Sequence, residues 1–136
     1  MAVNKKWRAA TNNKNILARI KGSENGKALL LLSHYDSNPH SSLGASDAGS
    51  GVVVILEGVR AFLAKKEIPK NDIIICISDA EELGLLGANA FVNHHPWAKE
   101  VGLVLNFEAR GSGAGLMVQA AWSQHGFLKA FNLYRK

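Results

Sequence analysis

The 136-residue sequence holds a single cysteine, Cys76, and that scarcity excludes an internal disulfide framework. Cys76 lies inside the apolar run Ile73–Ile77, where a lone thiol reads as a small buried hydrophobe. No apolar stretch approaches the roughly 20 residues that a membrane-crossing helix needs. The N-terminus, Met1-Ala2-Val3-Asn4-Lys5-Lys6-Trp7-Arg8, starts basic but has no apolar segment behind it, so it does not read as a signal peptide. Internal repeats and low-complexity segments are missing as well. Acidic residues are in the minority, 11 against 16 Lys and Arg, for a formal charge of +5. The basic residues are scattered: Lys5, Lys6 and Arg8 at one end, Lys65 and Lys66 in the middle, Arg135 and Lys136 at the other. Such pairs belong to solvated faces and do not form the stripe that nucleic-acid binding requires, so no nucleic-acid partner is expected. Glycine-rich Gly111–Gly115 lacks the Lys-Ser/Thr of a P-loop, which sets phosphate binding aside. With 47% hydrophobic and 20% charged residues the composition is that of a globular protein, and the length allows one domain with a core but not two.

What the chain does have is three short acidic and histidine motifs, each placed just after an apolar run. Ala28–Leu32 leads into Ser33-His34-Tyr35-Asp36, Ile73–Ile77 into Ser78-Asp79-Ala80-Glu81-Glu82, and Val101–Leu105 into Asn106-Phe107-Glu108. Continuous apolar runs of this length, bounded by polar residues, read as strands covered on both faces, as in a parallel sheet. Ligands of open α/β sheets bind at the carboxyl ends of such strands, and histidine with carboxylates there suggests a metal site.

Between these runs the pattern changes. Asn15–Ile20 alternates loosely and meets the turn-rich Lys21–Gly26, which predicts a hairpin into the Ala28 strand. Ser37 to Gly51 reads as a polar, glycine-rich loop. Val52, Ile55, Leu56, Val59, Phe62 and Leu63 keep helical spacing despite their β-branched start, predicting a helix that ends near Lys65-Lys66. A second helix is expected from Leu83 to about His94, with Leu86, Ala90 and Phe91 on one face and Pro96 beyond its end. A short apolar run at Leu116–Val118 and a last helix from about Ser123 complete the reading. Strand, helix, strand, helix, strand makes a layered α/β fold with parallel central strands.

Each candidate residue has a plain structural alternative. His34 and Asp36 share a face if the strand persists, and a metal-bound histidine is commonly oriented by a carboxylate, but a loop histidine beside a capping aspartate fits too. Asp47, among small residues at a helix entry, reads as an Asx turn or N-cap, although its neighbours would let a bulky group approach. Adjacent Glu81 and Glu82 point in different directions, so one can ligate a metal while the other handles protons; the alternative is acidic residues in a first helical turn. Glu108 with Arg110 allows a surface salt bridge. His40, His94, His95 and His125 read as structural or solvated.

Taken together, Leu32-Ser33-His34-Tyr35-Asp36-Ser37, the segment from Gly44 to Val52, the segment from Asp79 to Ala88, and Asn106-Phe107-Glu108-Ala109-Arg110-Gly111 resemble the co-catalytic zinc exopeptidases of the M28 aminopeptidase family. Four linked motifs in matching order carry the resemblance, from about Asn15 to about Gly113. It implies a three-layer α/β/α sandwich around a mixed, centrally parallel sheet, phosphorylase/hydrolase-like and truncated at the C-terminus, with residues 1–136 forming a single partial peptidase domain. It implies that His34 ligates one zinc and Asp36 orients it, that Asp47 bridges two zincs, that Glu81 is the general base and that Glu82 ligates the second zinc. Glu108 matches the position that ligates the first zinc, which is often aspartate in the family. A further zinc-ligating histidine of the family lies beyond the stretch that ends at Lys136, and His125 lacks its surroundings. The expected activity is removal of amino-terminal residues from peptide substrates by a parent enzyme with two zinc ions, the fragment alone being inactive. A glutaminyl-cyclase-like acyl transfer and a non-catalytic ectodomain are the alternatives. Family analogy favours a secreted or periplasmic location, and the truncated sheet is expected to favour self-association.

Overall fold

The structure is a computed structural model that describes residues 2–4, 9–40, 42–109 and 117–122. The charged residues Lys5, Lys6, Arg8, Arg110, Arg135 and Lys136, the Gly111–Gly115 run, Leu116, the expected last helix and His125 lie outside these. The apolar runs are strands, and the middle of the molecule is a sheet built on them. β1 (Ala2–Asn4) and β2 (Ala9–Thr11) form a separate antiparallel pair. β3 (Ile16–Ile20), β4 (Ala28–His34), β5 (Ile73–Ser78), β6 (Val101–Glu108) and β7 (Met117–Trp122) make one sheet in the order β3-β5-β4-β6-β7. β4 is central and parallel to both β5 and β6, while β3 and β7 are antiparallel at the two edges.

The unbroken apolar character of β5 has a direct cause. Ile74 and Cys76 face one side, where they pack with Leu30, Leu32 and Val104 under Ala88 and Phe91 of α2 (Leu86–His94). Ile75 and Ile77 face the other side, against Ile55 of α1 (Gly51–Ala64), with Val52, Val59 and Phe107 alongside. Each face therefore needs its own apolar set, and the result is an α/β/α sandwich around a mixed sheet. Fully burying a side chain such as Ile74, 0% exposed, contributes about 1.5–3 kcal/mol. Cys76 is buried as well, and burial pushes its thiol up to about 12. α1 starts hard against the sheet: a Cβ on Gly51 would stand 2.6 Å from Ser33 Oγ and 2.7 Å from the Phe107 carbonyl oxygen.

Two expectations are corrected. The Asn15–Ile20 strand is not in a hairpin with the Ala28 strand; it pairs antiparallel with β5, Ile16 opposite Ile77 and Ile20 opposite Ile73. Both edges of β4 are already taken by its parallel partners, so β3 goes outside β5. The connecting turn is held there by Ser23 N–H to the Pro69 carbonyl (2.9 Å) and Glu24 N–H to the Lys70 carbonyl (2.8 Å). The second helix begins at Leu86, not Leu83. Ala80, Gly84 and Leu85 adopt left-handed backbone angles, with φ of 52°, 106° and 63°, which a continuing right-handed helix does not contain. Glu81 and Glu82 thus precede the helix and are not in its first turn. Pro96 opens a tight 3₁₀ turn, Pro96–Glu100, that leads into β6.

The amino edge of the sheet is pinned by a charge cluster around buried Asp72. Its carboxylate accepts from Gly22 N–H at 2.7 Å, from Arg19 Nε at 2.6 Å and from Lys21 Nζ at 3.1 Å. Arg19 also pairs with Glu100, and its guanidinium lies 5.4 Å from the centre of the Trp97 ring. The Gly22 N–H bond, opposed by burial and aided by Arg19 and Lys21, holds the Asp72 carboxyl at about 2, below its ordinary 3.8. A depressed folded pKa gives stability that is present above the unfolded value and lost as pH falls through the folded one. Asp72→Asn is therefore expected to lower the denaturation midpoint at neutral pH, with the gap to wild type closing as pH drops from 3.8 towards about 2. A gap that stays constant across that range would show that the carboxylate's charge is not what matters.

Candidate active site

β4 ends by placing the His34 ring, 1% exposed, at the carboxyl edge of the sheet. Its Nδ1 is 2.9 Å from the Asp36 main-chain oxygen and 3.4 Å from Asp36 Oδ1. Both are acceptors, so Nδ1 carries a proton and Nε2 faces the remaining acidic groups. Nε2 stands 3.2 Å from Asp47 Oδ1, 3.6 Å from Glu108 Oε2 and 4.0 Å from Glu81 Oε2. One ligand atom from each of His34, Asp47 and Glu108 falls within 4.8 Å of the others.

Different elements bring these groups in. Asp47 sits in the wide helical turn Ala45–Ser50, where non-helical angles at Asp47 and Ala48 break the turn and the peptide bond between them is cis. Its side chain makes no cap for α1; it faces His34, so the N-cap reading gives way. Glu108 is the last residue of β6, and buried Asn106, two residues earlier on the same face, donates its Nδ2 to Glu108 Oε1 at 3.1 Å. Asp36 does more than meet the histidine. Its Oδ1 accepts from Glu81 N–H at 2.9 Å and its Oδ2 from Glu82 N–H at 3.1 Å, which ties the acidic turn after β5 to the end of β4. Glu82 joins through that main-chain bond and by its charge, and its carboxylate is not among the three groups that converge. His40 and His94 are exposed, and His95 stacks on Phe91 and accepts from Trp97 N–H, which leaves all three as structural or solvated residues.

The electrostatics follow from the crowding. Burial opposes a charge on His34, but the hydrogen bonds to Asp36 and Glu108 and the charges of Glu81 and Glu108 outweigh it and push the ring up to about 11. Burial raises Glu81 to about 7; His34 opposes this, and Glu108, Glu82 and Asp36 add to it. Glu82 is raised by burial first and by Asp47 next. Burial works against the Asp36 carboxylate, yet His34 and the two main-chain N–H groups hold it below its ordinary value. Among the described residues, Asp36, Asp47, Glu81, Glu82 and Glu108 thus surround one imidazole, an excess of negative charge that a dication would offset. One imidazole nitrogen with carboxylate oxygens is a donor set that suits zinc.

The sequence reading missed Asn15 and Asn106. Asparagines beside strands are common, and neither position carries a signal that separates it from a loop residue.

An α/β sandwich with an acidic, histidine-centred cluster at the carboxyl edge of its parallel strands defines a class of metal-dependent hydrolases. Residues 15–130 match the profile of Peptidase family M28, and the chain belongs to that family. The vacuolar membrane protease of Candida dubliniensis is 44% identical to it over 122 residues, 89% of this chain and 13% of that protein. The protein of the same name from Yarrowia lipolytica is 43% identical over 102 residues, 73% of this chain and 10% of that one. That of Candida albicans is 46% identical over 118 residues, 86% of this chain and 14% of that one. The chain thus spans 10% to 14% of the length of these relatives. No solved structure gives a significant match. The names of the relatives overturn the expected secreted or periplasmic location, since they point to a vacuolar membrane.

A site whose ligands are already gathered should convert metal binding into stability. Zinc added to the metal-free protein is expected to stabilise it by about 2.7 kcal/mol at a hundredfold excess over Kd, read as a rise in melting temperature. A chelator should reverse the rise, and His34→Ala or Asp47→Asn should shrink it. An equal rise in those variants would place the metal elsewhere.

Proposed function

We propose that the protein is a zinc-dependent peptidase of the aminopeptidase type, acting at a vacuolar membrane as the names of its relatives suggest. The observation that carries this reading is the convergence of His34 Nε2, Asp47 and Glu108 on one point, with the Glu81 carboxyl about 4.0 Å from the same nitrogen. His34, Asp47 and Glu108 would hold a zinc ion, and Glu82, with Asp47, would serve a second. Zinc bound there supplies a Lewis acid that polarises the scissile carbonyl and lowers the pKa of the attacking water. Asp36 keeps the His34 ring in place through Nδ1, the arrangement that commonly orients a metal-bound histidine.

Glu81 handles the proton. Buried, and within about 4.0 Å of His34 Nε2, its carboxyl is placed to accept a proton from water at the metal and then give it up. It takes one proton from the water that attacks the peptide carbonyl and passes it to the departing amine, so the carboxylate is restored at the end. Peptide substrate is the expected partner, and the residues here belong to a single peptidase domain. Among the described residues no helix is long and apolar enough to cross a membrane.

Glu81→Gln in the natural protein is expected to keep its zinc and lose a factor of about 10²–10⁴ in hydrolysis of a leucyl anilide. Zinc analysis of the purified variant reads the first half and initial rates the second. Loss of zinc with an unchanged rate per bound metal would exchange the roles of Glu81 and Glu82. Cyclisation of a glutaminyl peptide without cleavage of the anilide would replace the peptidase reading altogether.

A further inference from the structure

The turn that carries Glu81 and Glu82 is an unfavourable piece of backbone. Between Asp79 and Gly87 two non-glycine residues, Ala80 and Leu85, sit at positive φ, together with Gly84. Such conformations persist only where the surroundings hold them in place. The turn closes on itself through Gly87 N–H to the Asp79 carbonyl and Leu86 N–H to the Ala80 carbonyl, both 3.0 Å. Inside, Asp36 grips the Glu81 and Glu82 N–H groups. Outside, a residue from a different strand grips the neck. Asn15, immediately before β3, accepts from Asp79 N–H through Oδ1 at 3.0 Å and donates Nδ2 to the Gly87 carbonyl at 2.8 Å. One side-chain amide thus spans both ends of the turn, using its donor and its acceptor at once. The neck leaves no room for a side chain: a Cβ on Gly87 would stand 2.2 Å from the Asp79 carbonyl oxygen and 2.5 Å from Asn15 Oδ1. The preceding residue reinforces the contact, since Lys14 N–H donates to Asp79 Oδ2 at 2.9 Å and the Lys14 carbonyl accepts from the Tyr35 hydroxyl at 3.2 Å.

We propose that Asn15 is a positioning residue of the active site: its amide holds the Asp79–Gly87 turn closed and thereby sets where the Glu81 and Glu82 carboxylates stand. It touches neither substrate nor metal. The edge strand β3 is accordingly the outer wall of the catalytic turn as well as a member of the sheet. The inference rests on the peptidase reading for what Glu81 does, and on the hydrogen bonds alone for what Asn15 holds.

Two substitutions separate the possibilities. Asn15→Ala removes both bonds. Asn15→Asp keeps the shape and the acceptor for Asp79 N–H but replaces the donor to the Gly87 carbonyl with a second acceptor, so it tests the clamp even if the alanine variant fails to fold. Each is compared with wild type for kcat and KM on a leucyl anilide, bound zinc, melting temperature, and amide hydrogen exchange across residues 79–87. The expected result is a kcat lower by about 10–100-fold, the range that loss of a supporting partner of a metal site produces. KM should hold, as when an interaction made only in the transition state is lost. Exchange should quicken in residues 79–87 and not in β4 or β6. Gly87→Ala, whose methyl would collide with Asn15 Oδ1 and the Asp79 carbonyl oxygen and push the same neck apart, should reproduce both effects. Native kcat and native exchange in the Asn15 variants would overturn the proposal. So would a drop in melting temperature with faster exchange throughout the sheet and an unchanged kcat, the mark of a merely structural residue. If the wild-type protein cleaves no peptide, the peptidase reading fails, and the exchange data still decide whether Asn15 holds the turn.

Discussion

The buried imidazole of His34 is the constraint on which the rest of the structure depends. It is 1% exposed and stands at the end of the central strand, with carboxylates arriving from four other places in the chain. Carboxylates kept this close repel one another, and only a scaffold that fixes each backbone independently can hold them. Parallel strands do that, because their carboxyl ends lie on one edge: His34 is opposite Ser78, and Leu32 is opposite Asn106, two residues before Glu108. The strand ends are then cross-tied. Ser33 Oγ donates to the Phe107 carbonyl at 3.1 Å, Ser78 Oγ to the Ser33 carbonyl at 3.3 Å, and Gly51 lets α1 begin in contact with both β4 and β6. The packing of the two apolar faces supplies the stability that this charged edge needs and cannot provide itself.

Much of this was legible in the residues because two different signals agree there. The runs at Ala28–Leu32, Ile73–Ile77 and Val101–Leu105 contain no polar side chain, as suits a short strand covered on both faces, and each is followed at once by its polar motif. The runs therefore place His34, Glu81 and Glu108 at one edge of the sheet without any knowledge of contacts, whereas Asp47 follows no such run and joins them only through the family resemblance. What stayed hidden depends on partners distant in the chain. Ile16–Ile20 has the alternation of a strand, but nothing in it says that its neighbour is Ile73–Ile77 and not the closer Ala28 run; that outcome follows from β4 having no free edge. Leu83 and Leu85 continue the apolar period of the second helix, so the pattern extends the helix back to them. The left-handed angles at Ala80, Gly84 and Leu85 arise from closure of the turn on Asn15 and Asp36, and no residue within the turn announces them. Asn106 is hidden for the same reason, since its use lies in reaching Glu108 along the strand.

The two edges of the sheet show what separates a structural charge cluster from a working one. At the amino edge, Asp72 and Glu100 face Arg19 and Lys21, and main-chain Gly22 N–H completes the set. The charges cancel, and the arrangement locks β3, β5 and the entry to β6 together. At the carboxyl edge of the same strands the residue types are equally polar, but among the described residues Asp36, Asp47, Glu81, Glu82 and Glu108 share one imidazole. Balance at one end fastens the fold; imbalance at the other is kept in place by that fastening. A protein with no further purpose for its carboxyl edge would lose little by replacing one of those acids with a neutral residue. Their presence around a single buried ring, each held by its own backbone or side-chain bond, is intelligible when a positive ion and a proton in transit belong among them.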